Sequence, residues 1–232
     1  MIIVLIGSPG SGKSTQMYLL SKIIRARGQN VKTLCLKRGF IASLMEKILF
    51  LLIYDKSQLY PLYPYPLERL LRGAREKFKK VVHLWYAINT FELCARILLL
   101  LIMNKICRLT LLIEDYIPVM IADYAYVALK LGIPIDKISK HINILIHLYF
   151  KAYPSKVVLL TASTRELIQR WYKRGRAECS RTYLLILQRT VPKLAKILTH
   201  RCDVGEIALD TTNKTVSDTL RALVQNIRYL RH

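Results

Sequence analysis

The stretch GSPGSGKST, residues 7–15, decides the fold class of this chain. It contains the pattern G-x-x-x-x-G-K-[ST], whose glycines let successive backbone N–H groups turn inward around a phosphate. The apolar run before it, residues 2–6, predicts a buried parallel strand, and the residues after it predict an amphipathic helix. In that context the pattern binds the phosphates of a nucleoside triphosphate. The sequence therefore predicts ATP and Mg²⁺ as cofactors.

Two residues of this loop have specific expected roles. The ammonium group of Lys13 is expected to contact the β- and γ-phosphates, and the hydroxyl of Ser14 is expected to bind Mg²⁺. The helix that begins here adds the positive end of its dipole to the anion site. The predicted nucleotide-binding residues are Gly7, Ser8, Pro9, Gly10, Ser11, Gly12, Lys13, Ser14 and Thr15.

Strand-like and helix-like segments alternate along the rest of the chain. The predicted strands are residues 2–6, 31–36, 109–113, 157–160 and 206–209. The predicted helices are residues 13–27, 41–54, 81–103, 135–150, 164–173 and 215–228, with a basic helix-like pattern over residues 67–80 and a further helix between residue 181 and the last strand. Strands separated by helices predict an α/β fold, here a P-loop NTPase with three α/β/α layers around a five-stranded parallel sheet. Because no repeat or linker interrupts the pattern, we expect residues 1–232 to form one domain.

Two acidic residues, Glu114 and Asp115, follow the third predicted strand in LLIEDY. Ligands of an open parallel sheet bind at the carboxyl ends of its strands. An acid at such a position can hold Mg²⁺ through water or polarise an attacking oxygen. The alternative is that the pair only caps the next helix. Since acids are scarce in this chain, 15 against 37 Lys and Arg, we predict that Glu114 is catalytic and assists Ser14 in holding the metal.

The stretch RWYKRGRAECSR, residues 170–181, predicts a mobile basic lid at about residues 173–182. Arg170, Arg174 and Arg176 are expected to close on the phosphates, exclude water and stabilise the charge of the transferring phosphoryl group. The alternative is a solvated basic turn. Further on, LDTTNK at residues 209–214 predicts a loop that borders the adenine pocket.

Together these features resemble a nucleoside monophosphate kinase, and over nearly its whole length the chain most resembles thymidylate kinase. EDYIPVMIADY, residues 114–124, resembles the D-R-Y-x-x-S-x-x-A-Y-Q block of that family, and residues 154–176 resemble its Arg-rich stretch. The resemblance implies transfer of the γ-phosphoryl group of ATP to a nucleoside monophosphate, with dTMP expected as the acceptor. It also implies acceptor contacts at Arg38, Asp115 and Tyr116. The loop has an adenylate kinase character too, but the D-G-F-P-R stretch of that family is absent.

The chain departs from the thymidylate kinase pattern on the acceptor side. Asp115 stands where the family has Arg, and WYAINTFEL, residues 85–93, lacks the family's D-R pair, with Arg96 lying farther along. A carboxylate repels an anionic acceptor. Either the acceptor differs from dTMP or other arginines hold its phosphate.

The composition adds a second functional hypothesis. An apolar fraction of 53% excludes a disordered chain, and the net charge of +22 predicts a surface that attracts polyanions. The alternative function is therefore a P-loop nucleotide-binding protein that associates with nucleic acid and phosphorylates no acceptor. The Pro-rich segment YPLYPYP, residues 60–66, is either an arm over the acceptor pocket or a contact in a homodimer.

The apolar runs and the cysteines indicate where in the cell the protein is expected. The longest apolar runs, residues 49–54 and 97–103, are shorter than the about 18 residues of a membrane span, so short buried helices and no membrane partner are expected. The apolar beginning of the chain lacks a basic leader, and the five cysteines form no C-x-x-C pair. These features favour a reducing cytoplasmic location.

Overall fold

The computed structural model of the protein describes residues 1–36, residue 44, residues 72–173 and residues 181–228. Several predictions fall outside the described residues: the helix at residues 41–54, the Pro-rich segment, most of the lid, and the side chains of Arg38, Arg174 and Arg176. The rest of the predicted fold can be compared with the structure element by element.

The centre of the fold is a five-stranded parallel sheet, as predicted. Its strands are β1 (Ile2–Gly7), β2 (Val31–Cys35), β3 (Thr110–Glu114), β4 (Lys156–Thr161) and β5 (Gly205–Asp210), in the order β2-β3-β1-β4-β5. After β1, the chain adds β2 and β3 on one side of β1 and then β4 and β5 on the other side. A crevice therefore opens beyond the carboxyl end of β1, where open parallel sheets bind ligands.

The described helices are α1 (Lys13–Ala26), α2 (Arg72–Ile106), α3 (Ile117–Leu131), α4 (Ser139–Lys151), α5 (Thr164–Lys173), α6 (Arg181–Cys202) and α7 (Val216–Arg228). They cover both faces of the sheet, because alternate side chains of β1 point in opposite directions. Ile2, Val4 and Ile6 pack with α2, α3, α4 and α6, whereas Ile3 and Leu5 pack with α1 and α7. The predicted three-layer α/β/α architecture is confirmed.

Two parts of the helix pattern differ from the prediction. Helix α3 was not recognised in the sequence, because its residues are apolar and almost all buried, so they show no amphipathic period. The segment predicted as one helix over residues 135–150 is instead a 3₁₀ turn, Ile135–Ile138, followed by α4.

The helix predicted over residues 81–103 is confirmed, but the expectation that the apolar run 97–103 forms a short helix is wrong. These residues belong to α2, a continuous helix of 35 residues. Among the described residues, Glu76–Ile106 is long and apolar enough to cross a membrane by length and composition. In the structure this helix packs on β3, α3 and α4 and contributes Phe78, Val82 and Tyr86 to the core.

Candidate active site

The phosphate-binding loop runs from the end of β1 into the first turn of α1. The nine predicted nucleotide-binding residues, 7–15, form this continuous segment. Gly7 has a φ of 144°, and a Cβ there would overlap the carbonyl oxygen of Leu160 on β4. Gly12, with a φ of 94°, precedes the first residue of α1 in a left-handed conformation. Glycine is required at both points, because side chains disfavour these backbone angles.

Lys13 places its ammonium group at the centre of the loop. Its Nζ donates hydrogen bonds to the carbonyl oxygens of Gly7, at 3.0 Å, and Ser8, at 3.1 Å. The same Nζ lies 3.4 Å from Oδ1 of Asp115. The side chain is buried, so this positive charge is held beside the loop at the start of α1, where the positive end of the helix dipole also lies.

Glu114 and Ser14 meet across 100 positions of sequence. The parallel register aligns Glu114 of β3 with Leu5 of β1, which brings the carboxylate beside the loop. The hydroxyl of Ser14 donates to Oε1 of Glu114 at 2.8 Å. A hydroxyl and a carboxylate are hard oxygen ligands of the kind that Mg²⁺ takes together with phosphates and waters. The pair fits the predicted metal.

Asp115 turns the other way, toward Lys13. Its backbone is left-handed, with a φ of 55°, and its N–H donates to the carbonyl oxygen of Leu5 at 3.1 Å. The carboxylate is buried, and its Oδ1 accepts no hydrogen bond from any residue that the structure describes. Glu114 therefore contacts Ser14, the predicted metal ligand, whereas Asp115 contacts Lys13.

Tyr116, predicted as an acceptor contact, is not brought into the site. Its hydroxyl donates to the carbonyl oxygen of Ala152 at 2.5 Å, and its ring lies in the core near Tyr149. Burial, with the nearby Tyr149 hydroxyl, raises the pKa of the Tyr116 hydroxyl above its ordinary value. Here Tyr116 fixes the start of α3 against the end of α4.

Arg170, predicted as a lid residue, clamps the phosphate-binding loop to the turn after β5. Its guanidinium donates to the carbonyl oxygen of Gly10 at 3.3 Å, to the hydroxyl of Thr211 at 3.0 Å and to the carbonyl oxygen of Thr211 at 2.7 Å. Its Nε also pairs with Glu166 at 2.9 Å. The structure therefore places Arg170 beside the phosphate-binding loop, where it joins the loop to the turn after β5.

Thr211 belongs to the site, although the sequence predicts only that its loop, LDTTNK, borders the adenine pocket. The hydroxyl of Thr211 lies 2.9 Å from the carbonyl oxygen of Thr161 and 3.4 Å from that of Ser11. This buried threonine joins β4, β5 and the phosphate-binding loop at one point. The signal was its place directly after a strand end, which is where parallel sheets present functional residues.

Arg96 on α2 reaches the site from the opposite side. Its guanidinium donates to the carbonyl oxygens of Cys35, at 2.7 Å, and Leu36, at 3.0 Å. These two residues end β2 and lead directly to Arg38, the predicted acceptor contact. Arg96 thus lies at the carboxyl edge of the sheet and holds the end of β2, which leads in sequence to the predicted acceptor contact.

Comparison with solved structures identifies the fold. Deoxyadenosine kinase from M. mycoides with bound dATP matches at a TM-score of 0.59 and 17% identity, covering 98% of this chain and 100% of that chain. The same enzyme with bound dCTP matches at a TM-score of 0.56 and 16% identity, covering 99% and 100%. This likeness shows a shared fold, and the fold of this chain is that of a P-loop NTPase. No protein-family model matches the chain, and comparison with curated proteins finds no relative by sequence.

Within this P-loop NTPase fold, the described side chains form a candidate site for the phosphates of a nucleotide. Lys13 and the loop amides supply positive charge, and Ser14 with Glu114 supplies oxygen ligands. Arg170 and Thr211 hold the loop through the carbonyl oxygens of Gly10 and Ser11.

Proposed function

We propose that this protein is an ATP- and Mg²⁺-dependent kinase that transfers the γ-phosphoryl group of ATP to a nucleoside-type acceptor. One observation supports this most directly. The glycine-rich loop holds Lys13 at its centre, and Glu114 of the neighbouring strand lies 2.8 Å from the metal-binding hydroxyl of Ser14. A phosphate-binding loop with a carboxylate at the adjacent strand end has the parts that phosphoryl transfer requires.

Different residues of the chain have different proposed roles in this transfer. Lys13 and the loop amides would hold the donor phosphates, while Ser14 and Glu114 would hold Mg²⁺, which would supply neutralisation of the phosphate charge. Arg170 keeps the loop in shape through the carbonyl oxygen of Gly10. Arg174 and Arg176 are proposed to close over the transferring group, which excludes water from the site.

Two acceptor classes are candidates. The resemblance to thymidylate kinase favours dTMP, with Arg38 as the contact for its phosphate. The buried carboxylate of Asp115, 3.4 Å from Lys13, favours a neutral hydroxyl acceptor, because it would repel a second phosphate near the transferring one. The similar solved structures are deoxyadenosine kinases, so a deoxynucleoside is the second candidate.

A coupled ADP-release assay tests the proposal and separates the acceptors. The purified chain is supplied with ATP, with and without Mg²⁺, and with dTMP, dUMP, AMP, CMP, GMP, thymidine, deoxyadenosine or no acceptor. We expect Mg²⁺-dependent release that one acceptor stimulates strongly. ATP turnover that ignores every acceptor, or the absence of turnover, would contradict the kinase proposal.

Two lysines of α1 provide a matched pair of variants for this assay. Lys13→Ala removes the cation at the centre of the loop and is expected to abolish transfer while leaving the fold intact. Lys22→Ala removes an exposed lysine whose Nζ lies 4.5 Å from the centre of the Tyr18 ring. It is expected to leave turnover unchanged. Equal activity in the two variants would overturn the assignment of the donor site.

The proposed place of action is the cytoplasm, where ATP and Mg²⁺ are available. Association with nucleic acid remains the alternative, since the net charge of +22 exceeds what a mononucleotide needs. Retention on DNA that falls with added salt, without any acceptor-dependent ATP turnover, would favour that alternative.

A further inference from the structure

The amino ends of the strands form the edge of the sheet that lies opposite the phosphate-binding loop. In the parallel register the strands begin at nearly the same level. Cations precede or open four of the five strands. We call this surface the basic edge, and its cations are Arg27, Lys32, Lys105, Arg108, Lys156 and Arg201.

The cations of the basic edge have no acidic partner among the residues that the structure describes. The ion pairs between described residues lie elsewhere, at the phosphate-binding loop and within α5 and α7. Lys156 is half-buried, and the other five cations are exposed. Within the described ranges, the acids at this edge are Asp203 and Glu206, both beside the start of β5. The basic edge therefore has an excess of positive charge, which attracts a polyanion.

Helix stability accounts for half of these cations. Three of the six lie at the carboxyl ends of α1, α2 and α6. A cation there stabilises a helix by about 0.3–1 kcal/mol, because it lies beside the negative end of the helix dipole. The other three lie outside the helices, so this effect does not explain them. They are Lys32, Arg108 and Lys156.

Backbone geometry holds these three cations along the edge. Lys32 is the second residue of β2. Arg108, just before β3, has a φ of 50°, a left-handed angle that glycine and asparagine adopt more readily, so local structure does not favour arginine there. A Cβ at Gly205 would lie 2.6 Å from Nζ of Lys156. The ammonium group of Lys156 therefore lies over the start of β5, and glycine leaves the room for it.

The polar side chains between the cations fit a phosphodiester backbone. Exposed Asn30 precedes β2, and exposed Ser155 precedes β4. Arg, Lys, Asn and Ser side chains are groups that contact phosphates in complexes with nucleic acids. Binding to a membrane surface instead grows with the apolar area that is buried. The exposed apolar side chains near this edge, such as Met1 and Ile106, are outnumbered by its cations, which favours a nucleic acid.

The length of the basic edge matches several phosphates of one nucleic acid strand. Neighbouring strands of a sheet lie about 4.8 Å apart, so the five strands span roughly 19 Å. The phosphates of one DNA strand advance about 3.4 Å per nucleotide along the duplex axis. A duplex that lies along the edge therefore presents about five phosphates of one strand to the cations.

We infer that the basic edge binds the phosphate backbone of double-stranded nucleic acid, whatever its base sequence. The six residues of β1 separate this edge from the phosphate-binding loop by roughly 20 Å. A nucleic acid and a nucleotide therefore have separate sites, on opposite edges of one sheet. This inference rests on the charges at the amino ends of the strands and does not depend on the proposed kinase function.

Fluorescence anisotropy of the full chain with a labelled DNA duplex of about 20 base pairs tests the inference. We expect the association constant to fall as NaCl rises from about 0.05 M to about 0.2 M, with a slope of log K against log salt of about −4 to −6. Saturating Mg-ATP, at matched Mg²⁺ and ionic strength, is expected to leave the affinity for DNA unchanged, because the phosphate-binding loop lies at the other edge.

Two triple variants that lose the same charge locate the site. The first combines Lys32→Gln, Arg108→Asn and Lys156→Gln, with asparagine chosen because it tolerates the left-handed backbone. It is expected to raise the Kd for the duplex roughly 10- to 100-fold and to reduce the salt slope by about 3. The matched control removes three exposed lysines of α2 and is expected to keep the wild-type slope, with a Kd within about threefold of wild type. Its substitutions are Lys77→Gln, Lys79→Gln and Lys80→Gln.

The other outcomes overturn the inference. A chain that does not bind the duplex at about 0.05 M NaCl has no such surface. Equal losses in the two triple variants indicate attraction by net charge alone, and displacement of DNA by Mg-ATP assigns the DNA to the phosphate-binding loop. Phosphatidylserine vesicles that bind without any DNA binding, and only to chains with an intact basic edge, assign the edge to a membrane. If circular dichroism shows that the first triple variant misfolds, Lys32→Gln alone is expected to reduce the slope by about 1, and an unchanged slope refutes the inference.

Discussion

Replacing Asp115 with asparagine tests whether the buried carboxylate competes with bound nucleotide for Lys13. The two charged groups lie 3.4 Å apart, with side chains 11% and 5% exposed. At an effective dielectric constant of about 20 their attraction is about 5 kcal/mol. The cost of desolvating both groups offsets most of it, so we take about 1–2 kcal/mol as the net contribution to the free protein. Asparagine keeps the shape and tolerates the left-handed backbone at this position.

The expected result has two linked parts. Without nucleotide, Asp115→Asn is expected to lower the free energy of unfolding by about 1–2 kcal/mol, and Tm by about 2–8 °C. With Mg-ATP, the phosphates take over as the partner of Lys13, and no carboxylate repels them. The variant is therefore expected to bind Mg-ATP about 5–30 times more tightly than wild type. Thermal melts with and without Mg-ATP, together with titration calorimetry, measure both parts.

A second buried acid supplies the control. Asp123 on α3 is 2% exposed and accepts a hydrogen bond of 2.6 Å from the hydroxyl of Tyr183 in the core. Asp123→Asn is expected to lower stability and to leave the affinity for Mg-ATP unchanged. The reasoning fails if Asp115→Asn binds Mg-ATP more weakly than wild type. The carboxylate would then assist the nucleotide instead of competing with it.

Three further changes test other parts of the site and fold. Glu114→Gln keeps the shape of the side chain but removes its charge; we expect the Mg²⁺ concentration for half-maximal ATP turnover to rise about tenfold, and an unchanged requirement would count against metal binding. Arg96→Met removes two hydrogen bonds to the end of β2; unfolding in urea should show a loss of about 1–3 kcal/mol, and steady-state kinetics a raised KM for the acceptor with an unchanged KM for ATP. Burial lowers the pKa of His141 below its ordinary value of 6.5, so the neutral form stabilises the fold and its contribution is lost as the pH falls below 6.5. Thermal melts between about pH 5 and about pH 7.5 should show that Tm falls less on acidification in His141→Phe than in wild type. An equal fall of Tm in the two proteins would refute this.

The donor side of the site was predictable because its information is local. The glycine spacing, Lys13 and Ser14 occupy one short stretch, and the apolar strand before it fixes where that stretch lies in the fold. The meeting of Ser14 with Glu114 followed from a rule that needs no coordinates. Parallel strands end at one edge of their sheet, so an acid after a neighbouring strand comes near the loop.

Contacts that depend on the packing of distant segments were not predictable. Arg170 belongs to a stretch whose charge indicates a lid, yet its partners are Gly10 and Thr211, each from another part of the chain. Tyr116 occupies a position that the family resemblance assigns to the acceptor, but α4 offers its hydroxyl a carbonyl oxygen instead. A residue type at a given spacing indicates which bonds it can make, and packing decides which of them it makes.

Helix α2 shows another limit of prediction from sequence. Its sequence is apolar on all sides over residues 97–103, which indicates burial without saying what buries it. The fold supplies a cover for one side through β3, α3 and α4 and leaves Leu84, Phe91 and Leu98 exposed on the other. An uncharged apolar surface on so basic a chain is costly to leave in water. The sequence therefore indicates more apolar residues in this helix than its inward side can bury. Only the structure shows which of these side chains stay exposed.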